Sequence, residues 1–207
     1  MAVIADYDTL LTAVADYTAR SDLTTFAPNF VQNWEERFYR QPMNWGPWME
    51  SALALTLSSG VATVPSDYLG LKWAALSASP YRHLERKSAA SLYAYFPRGN
   101  GSGVPRWIAR DQGSFVFGPE PDGDYSLVGT YYAKPTVLRD DSDGINWLIT
   151  NAPDLILYGA LLEAEPFLKN DARIAVWRDY YADALVDYRD QIKAEDVSGS
   201  PGQAVLR

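Results

Sequence analysis

The chain has 207 residues, a net charge of −8, 47% hydrophobic and 21% charged residues, and no cysteine. That balance fits one domain with a sizeable insertion, or two small domains sharing a core, and argues against wholesale disorder. It leaves no disulfide framework or thiolate metal site, and the acidity argues against a groove that neutralises phosphates.

Tyr7, Leu10, Leu11, Val14 and Tyr17 recur at helical spacing and predict a first amphipathic helix stopping near Arg20. Ser21 and Asp22 are suitable N-caps for a second helix. Phe26, Phe30, Val31, Trp34 and Phe38 line that helix, with Pro28 in its first turn. From about residue 42 the period changes, and Pro42, Gly46, Pro47, Gly60 and Pro65 punctuate the chain. Strands are predicted at Leu53 to Leu57, Tyr68 to Leu76, around Trp107, at Phe115 to Phe117 and at Tyr125 to Tyr132. A short helix is predicted from Ser88 to Phe96, and Asp122-Gly123 reads as a hairpin turn. Asn151, Pro153 and Asp154 form a helix start, after which Leu155, Tyr158, Leu161 and Leu162 should face inward. Pro166 should bend or end that helix. Asp171 opens the last one, with Ile174, Trp177, Tyr181, Leu185, Tyr188 and Ile192 at steps of three and four. The expected fold class is α+β, with helices at 1–41 and 145–194 forming a bundle, a β-rich insertion at 42–144 and an extended tail at 195–207.

Chemistry-bearing motifs are few. His83 is the one histidine and lies in an alternating, strand-like stretch from Tyr81 to Arg86, so multi-histidine metal sites are ruled out by count. The Gly99–Gly103 cluster has no following Lys-Ser/Thr, and Pro105 blocks the helix a phosphate loop would need. Asp140, Asp141 and Asp143 fall in the wrong register for a calcium loop. Glu35-Glu36 and Glu163 with Glu165 are the carboxylate pairs a glycoside hydrolase would draw on, yet 26 acidic residues make chance pairs expected. Neither catalytic residues nor a cofactor are expected. The start of the chain lacks the basic and apolar regions of a signal peptide, so synthesis in a cytosol is expected.

The order of local patterns resembles the head-to-tail adaptor proteins of tailed bacteriophages, also called connectors or tail accessory factors. Tyr7-x-x-Leu10-Leu11-x-x-Val14 leads to Arg20-Ser-Asp-Leu23, and Phe30-Val31 precedes Glu35-Glu36-Arg37-Phe38. Val64-Pro65-Ser66-Asp67-Tyr68-Leu69 comes next, then Tyr131-Tyr132-Ala133-Lys134 with Leu138. Asn146-Trp147-Leu148 is succeeded by Pro153-Asp154-Leu155, by the run from Leu157 to Ala164, and by Trp177 and Tyr181. The departures are Trp45-Gly-Pro-Trp48 and a valine, Val64, before Pro65.

The resemblance implies a structural virion protein at the neck, made in the bacterial host's cytoplasm. It would be a dodecameric ring beneath the portal protein that extends the DNA channel, serves DNA ejection, and gives the tail, stopper or nozzle a platform. In the family a C-terminal extension reaches between portal subunits, which puts Val197, Gln203, Val205 and Leu206 forward as portal contacts. Trp45 and Trp48 are candidate subunit or portal contacts, because large aromatics make efficient anchors. Asp179, Asp183 and Asp187 share one face of the last helix, with Asp190 nearby, and would meet a neighbouring subunit or line the channel to keep DNA from sticking. Two other classes compete: a tail-associated peptidoglycan hydrolase using Glu35, and a carbohydrate-binding module built on the aromatic insertion.

Overall fold

Asp6 begins the first helix by accepting from the Thr9 amide (2.8 Å), while the Thr9 hydroxyl accepts from the Asp6 amide (3.0 Å), a reciprocal capping box. Helix α1 (Tyr7–Thr18) buries Leu10, Ala13 and Val14, and ends at Ala19, whose φ of 53° turns the chain out of the helix. Asp22 pairs with Arg20 instead of capping a helix, and a 3-10 turn, Ser21–Phe26, leads into α2 (Ala27–Tyr39). Phe30, Val31, Trp34 and Phe38 are buried there, as their spacing predicts. The computed structural model describes residues 3–57, 60–97, 101–141, 143–168 and 172–197.

The strands come next: β1 (Glu50–Leu57), β2 (Val61–Thr63), β3 (Tyr68–Leu76), β4 (Arg82–His83) and β5 (Glu85–Arg86). Helix α3 (Ala89–Tyr95), capped by the Ser88 hydroxyl, buries Leu92 against Ala109 and Val116. Then come β6 (Ser102–Gly103), β7 (Trp107–Asp111), β8 (Ser114–Gly118), β9 (Glu120–Pro121) and β10 (Tyr125–Ala133). One sheet runs β1-β10-β3-β4, a second β2-β8-β7-β5, and β6 pairs with β9. Leu53, Leu57, Leu71, Leu76, Ile108, Phe115, Phe117 and Leu127, drawn from both larger sheets, share one core. Asp122-Gly123 is not a hairpin turn. Strand β10 pairs along its length with β1 and β3, and those two long ladders satisfy far more backbone than a short hairpin with β9 would.

Four helices follow among the described residues: α4 (Trp147–Asn151), α5 (Pro153–Glu163), α6 (Glu165–Leu168) and α7 (Arg173–Asp196). The Asn146 side chain caps α4 by accepting from the Ile149 amide (3.0 Å), whereas Asn151 caps nothing and donates to the Trp147 carbonyl (2.9 Å). Helix α5 is buried on nearly every side, Ile156, Leu157, Gly159 and Ala160 included, because α1, α2 and α7 all pack on it. Tyr158 and Leu162, expected inside, are half-buried. Asp171 lies outside the described residues.

The protein is therefore α+β, in two compact units: Met1–Trp48 with Thr136–Arg207, and Met49–Pro135. The crossings fall at 48/49 and 135/136, not at the expected 41/42 and 144/145, because polar anchors hold both connectors to the helices. Asn44 is buried; its carbonyl accepts from the Tyr188 hydroxyl (2.6 Å) and its amide oxygen from the Arg189 guanidinium (2.9 and 3.0 Å). The Leu138 amide donates to the Glu35 carboxylate (3.2 and 3.3 Å). Satisfying such groups is obligatory once they leave water.

Candidate interaction surfaces

Helix α7 presents two unlike faces. Ile174, Trp177, Ala184, Tyr188 and Ile192 are buried, with Tyr181 and Leu185 half-buried beside them. The opposite face carries Asp179, Asp183, Asp187 and Asp190, all exposed, with Val176, Tyr180 and Val186 among them. The helix's arginines are committed elsewhere. Arg173 donates to the carbonyls of Tyr17 (2.9 Å) and Thr18 (3.2 Å), Arg178 pairs with Glu165 (3.2 Å), and Arg189 holds Asn44. Lys193 reaches Asp190 at 3.4 Å. Among the described residues, no side-chain hydrogen bond or salt bridge engages Asp179, Asp183 or Asp187.

Trp45 and Trp48 are tied into the helical unit. Trp45 donates its indole N–H to the Tyr39 carbonyl (2.8 Å), and Trp48 donates to the Tyr188 hydroxyl (3.0 Å). Trp48 also stacks on Trp147, centroids 5.4 Å apart and planes 5° from parallel. Gly46 sits between them, where a Cβ would lie 2.8 Å from Ile192. Both rings remain half-exposed, so each has an outer surface to offer. Val197 closes α7 with its amide on the Lys193 carbonyl (3.2 Å) and is 40% exposed. Gln203, Val205 and Leu206 lie outside the described residues.

Glu35, the carboxylate considered for hydrolysis, is 0% exposed. Its oxygens accept from the Leu138 amide and from the Tyr39 hydroxyl (3.2 Å), which makes it a brace between α2 and the chain entering the last helices, out of a substrate's reach. Burial, followed by the nearby Glu35 charge, pushes the Tyr39 phenol well above its ordinary range. No group of three His, Asp or Glu side chains among the described residues is placed to hold a metal ion. No helix among them is long and apolar enough to cross a membrane.

The β-rich unit also holds a basic concavity that no sequence motif announces. Arg82, His83 and Arg106 line a groove of about 510 Å³ whose apolar lining includes Phe96, Val104 and Pro119. Both arginines and the histidine are exposed, and the His83 ring lies 5.8 Å from that of Trp73. The groove has no local signature because β4 and the segment before β7 belong to different sheets and meet only in the folded unit.

What the described residues offer is a set of exposed charged and aromatic faces on an α+β scaffold. Residues 5–204 match the family described as SU10 adaptor protein. The chain belongs to that family of phage head-to-tail adaptors, as the resemblance read from its motifs implies. No curated protein matches it.

Proposed function

We propose that this chain is a subunit of a ring, dodecameric as the resemblance implies, in the virion neck. The ring docks beneath the portal, extends the DNA channel and gives the tail or stopper its platform. The observation that carries this reading is the family match over 5–204, which takes in both units. The net charge of −8 accords with a channel that DNA traverses without adhering. The helical bundle supplies the rigid part of such a subunit, the half-exposed Trp45 and Trp48 supply aromatic anchors, and the tail from Val197 through Gln203, Val205 and Leu206 reaches the portal. Cryo-electron microscopy of the protein mixed with its cognate portal is the test. A ring of copies on the portal is expected; a monomer that ignores the portal overturns the reading.

A further inference from the structure

Charge is divided unevenly along this chain. Met49–Pro135 holds eight Lys and Arg against seven Asp and Glu, a net of +1, so the rest of the chain carries −9 of the total −8. Within the β-rich unit most cations are already engaged. Lys72 pairs with Glu50 (2.7 Å), Lys87 with Glu85 (2.5 Å), Arg86 donates to the Leu71 carbonyl and Arg110 to that of Gln112 (3.3 Å), and Lys134 is engaged as well. The guanidiniums of Arg82 and Arg106 make no hydrogen bond or salt bridge among the described residues, and both edge the same groove. On α7 the situation is the mirror image: its cations are engaged by other groups, and Asp179, Asp183 and Asp187 stand outward without partners among the described residues.

We infer that the Arg82–Arg106 groove of one copy receives the outer face of α7 from a second copy, with Asp183 and Asp187 toward the arginines. These two unpaired charge sets are opposite in sign, and each is interleaved with apolar surface. Val176, Tyr180 and Val186 accompany the aspartates, and Phe96, Val104 and Pro119 accompany the arginines. That mixture suits an interface better than a solvated face, since apolar contact supplies affinity and charge fixes the register. Groove and helix face are different patches, so the contact is head-to-tail and propagates from copy to copy, as a closed ring requires. The inference rests on the adaptor reading for its expectation that like subunits meet.

Full-length protein is tested alone and with the portal, in four forms: wild type, a groove variant (Arg82→Glu with Arg106→Glu), a helix variant (Asp183→Lys with Asp187→Lys), and an equal mixture of the two variants. All four positions are exposed, and circular dichroism checks that each variant is folded. Sedimentation velocity at low salt should show wild type associating, and each variant alone associating at least about a hundredfold more weakly, because like charges then face each other. The mixture should recover association, since the acidic groove of one variant then meets the basic helix of the other, and the remaining native groove meets a native helix. Variants that assemble as wild type does, or a mixture that stays monomeric, overturn the pairing while leaving the adaptor reading intact. Wild type that remains monomeric both alone and with the portal overturns both. A groove variant that assembles normally but loses retention of duplex DNA assigns the groove to phosphate and also overturns the pairing.

Discussion

Glu35 sits at 0% exposure with both oxygens turned to the Leu138 amide, and Tyr39 donates to one of them. Glu35→Ala removes the acceptor and opens a cavity, and should cost roughly 2–4 kcal/mol. Glu35→Gln keeps one acceptor oxygen and should cost about half as much. Urea unfolding of both variants checks the order, and equal losses would contradict the bracing role. Tyr7 is the reverse case: its buried hydroxyl has no partner among the described residues, and burial pushes the phenol up, with Glu35 adding to it. Tyr7→Phe removes an unpaired polar atom and should be neutral or stabilise by up to about 1 kcal/mol, seen as an unchanged or higher urea midpoint. Burial also raises the phenols of Tyr39 and Tyr188. The fold favours their neutral forms, so that contribution is whole below pH about 10 and is lost as pH climbs through the raised values. Alkaline unfolding followed by circular dichroism should therefore begin above pH about 10 and track tyrosinate absorbance.

Helices α2, α5 and α7 meet at one glycine. A Cβ on Gly159 would lie 2.1 Å from the Trp34 indole nitrogen, and that same N–H donates to the Tyr181 hydroxyl on α7 (3.2 Å). Gly159→Ala gains helix propensity yet drives into the ring, and a net loss of about 1–3 kcal/mol is expected from thermal unfolding. The elements carried by local periodicity are legible in the sequence: α1, α3, β3 and the inner faces of α2 and α7 lie where spacing puts them, although α2 starts at Ala27, past the caps expected at Ser21 and Asp22. Helix α4 is not, since five residues show little more than one turn of pattern. The inward set of α5 is only partly legible, because a helix wrapped by three others shows no polar stripe to orient it. Nor is the partnering of β10, which depends on strands far away in sequence. The acidic face of α7 can be read from steps of four, whereas Arg82 and Arg106 stand 24 positions apart and share a groove only through the fold.

The β-rich unit leaves and rejoins the helical unit through neighbouring strands, with Glu50 opposite Tyr132 in the β1–β10 ladder. Its two ends thus lie side by side, and a short linker can bridge them. Replacing residues 49–135 with a short Gly/Ser linker should leave a folded helical unit, since Leu10, Val31, Leu155, Ile156 and Leu161 are buried on helices α1, α2 and α5, which pack together within it. A cooperative thermal transition with a helical circular dichroism spectrum is the expected result, and a molten or unfolded product would contradict it. That product, at −9 and lacking the groove, should also stay monomeric.

The central position of β10 bears on how the polypeptide matures as it is made. Strands β1 and β3 flank it without pairing with each other, so β1 gains no ladder, and β3 only its short pairing with β4, until residues 125–133 exist. Helix α5, which α1, α2 and α7 surround, is likewise among the later segments to be translated. A nascent chain emerging from the ribosome therefore carries open strand edges and apolar helix faces through most of its synthesis. Both units then close over contacts distant in sequence, which slows folding and lengthens the exposure to aggregation. Truncations ending before residue 125 should for this reason be recovered as aggregates or chaperone-bound species, while chains that reach residue 197 fold.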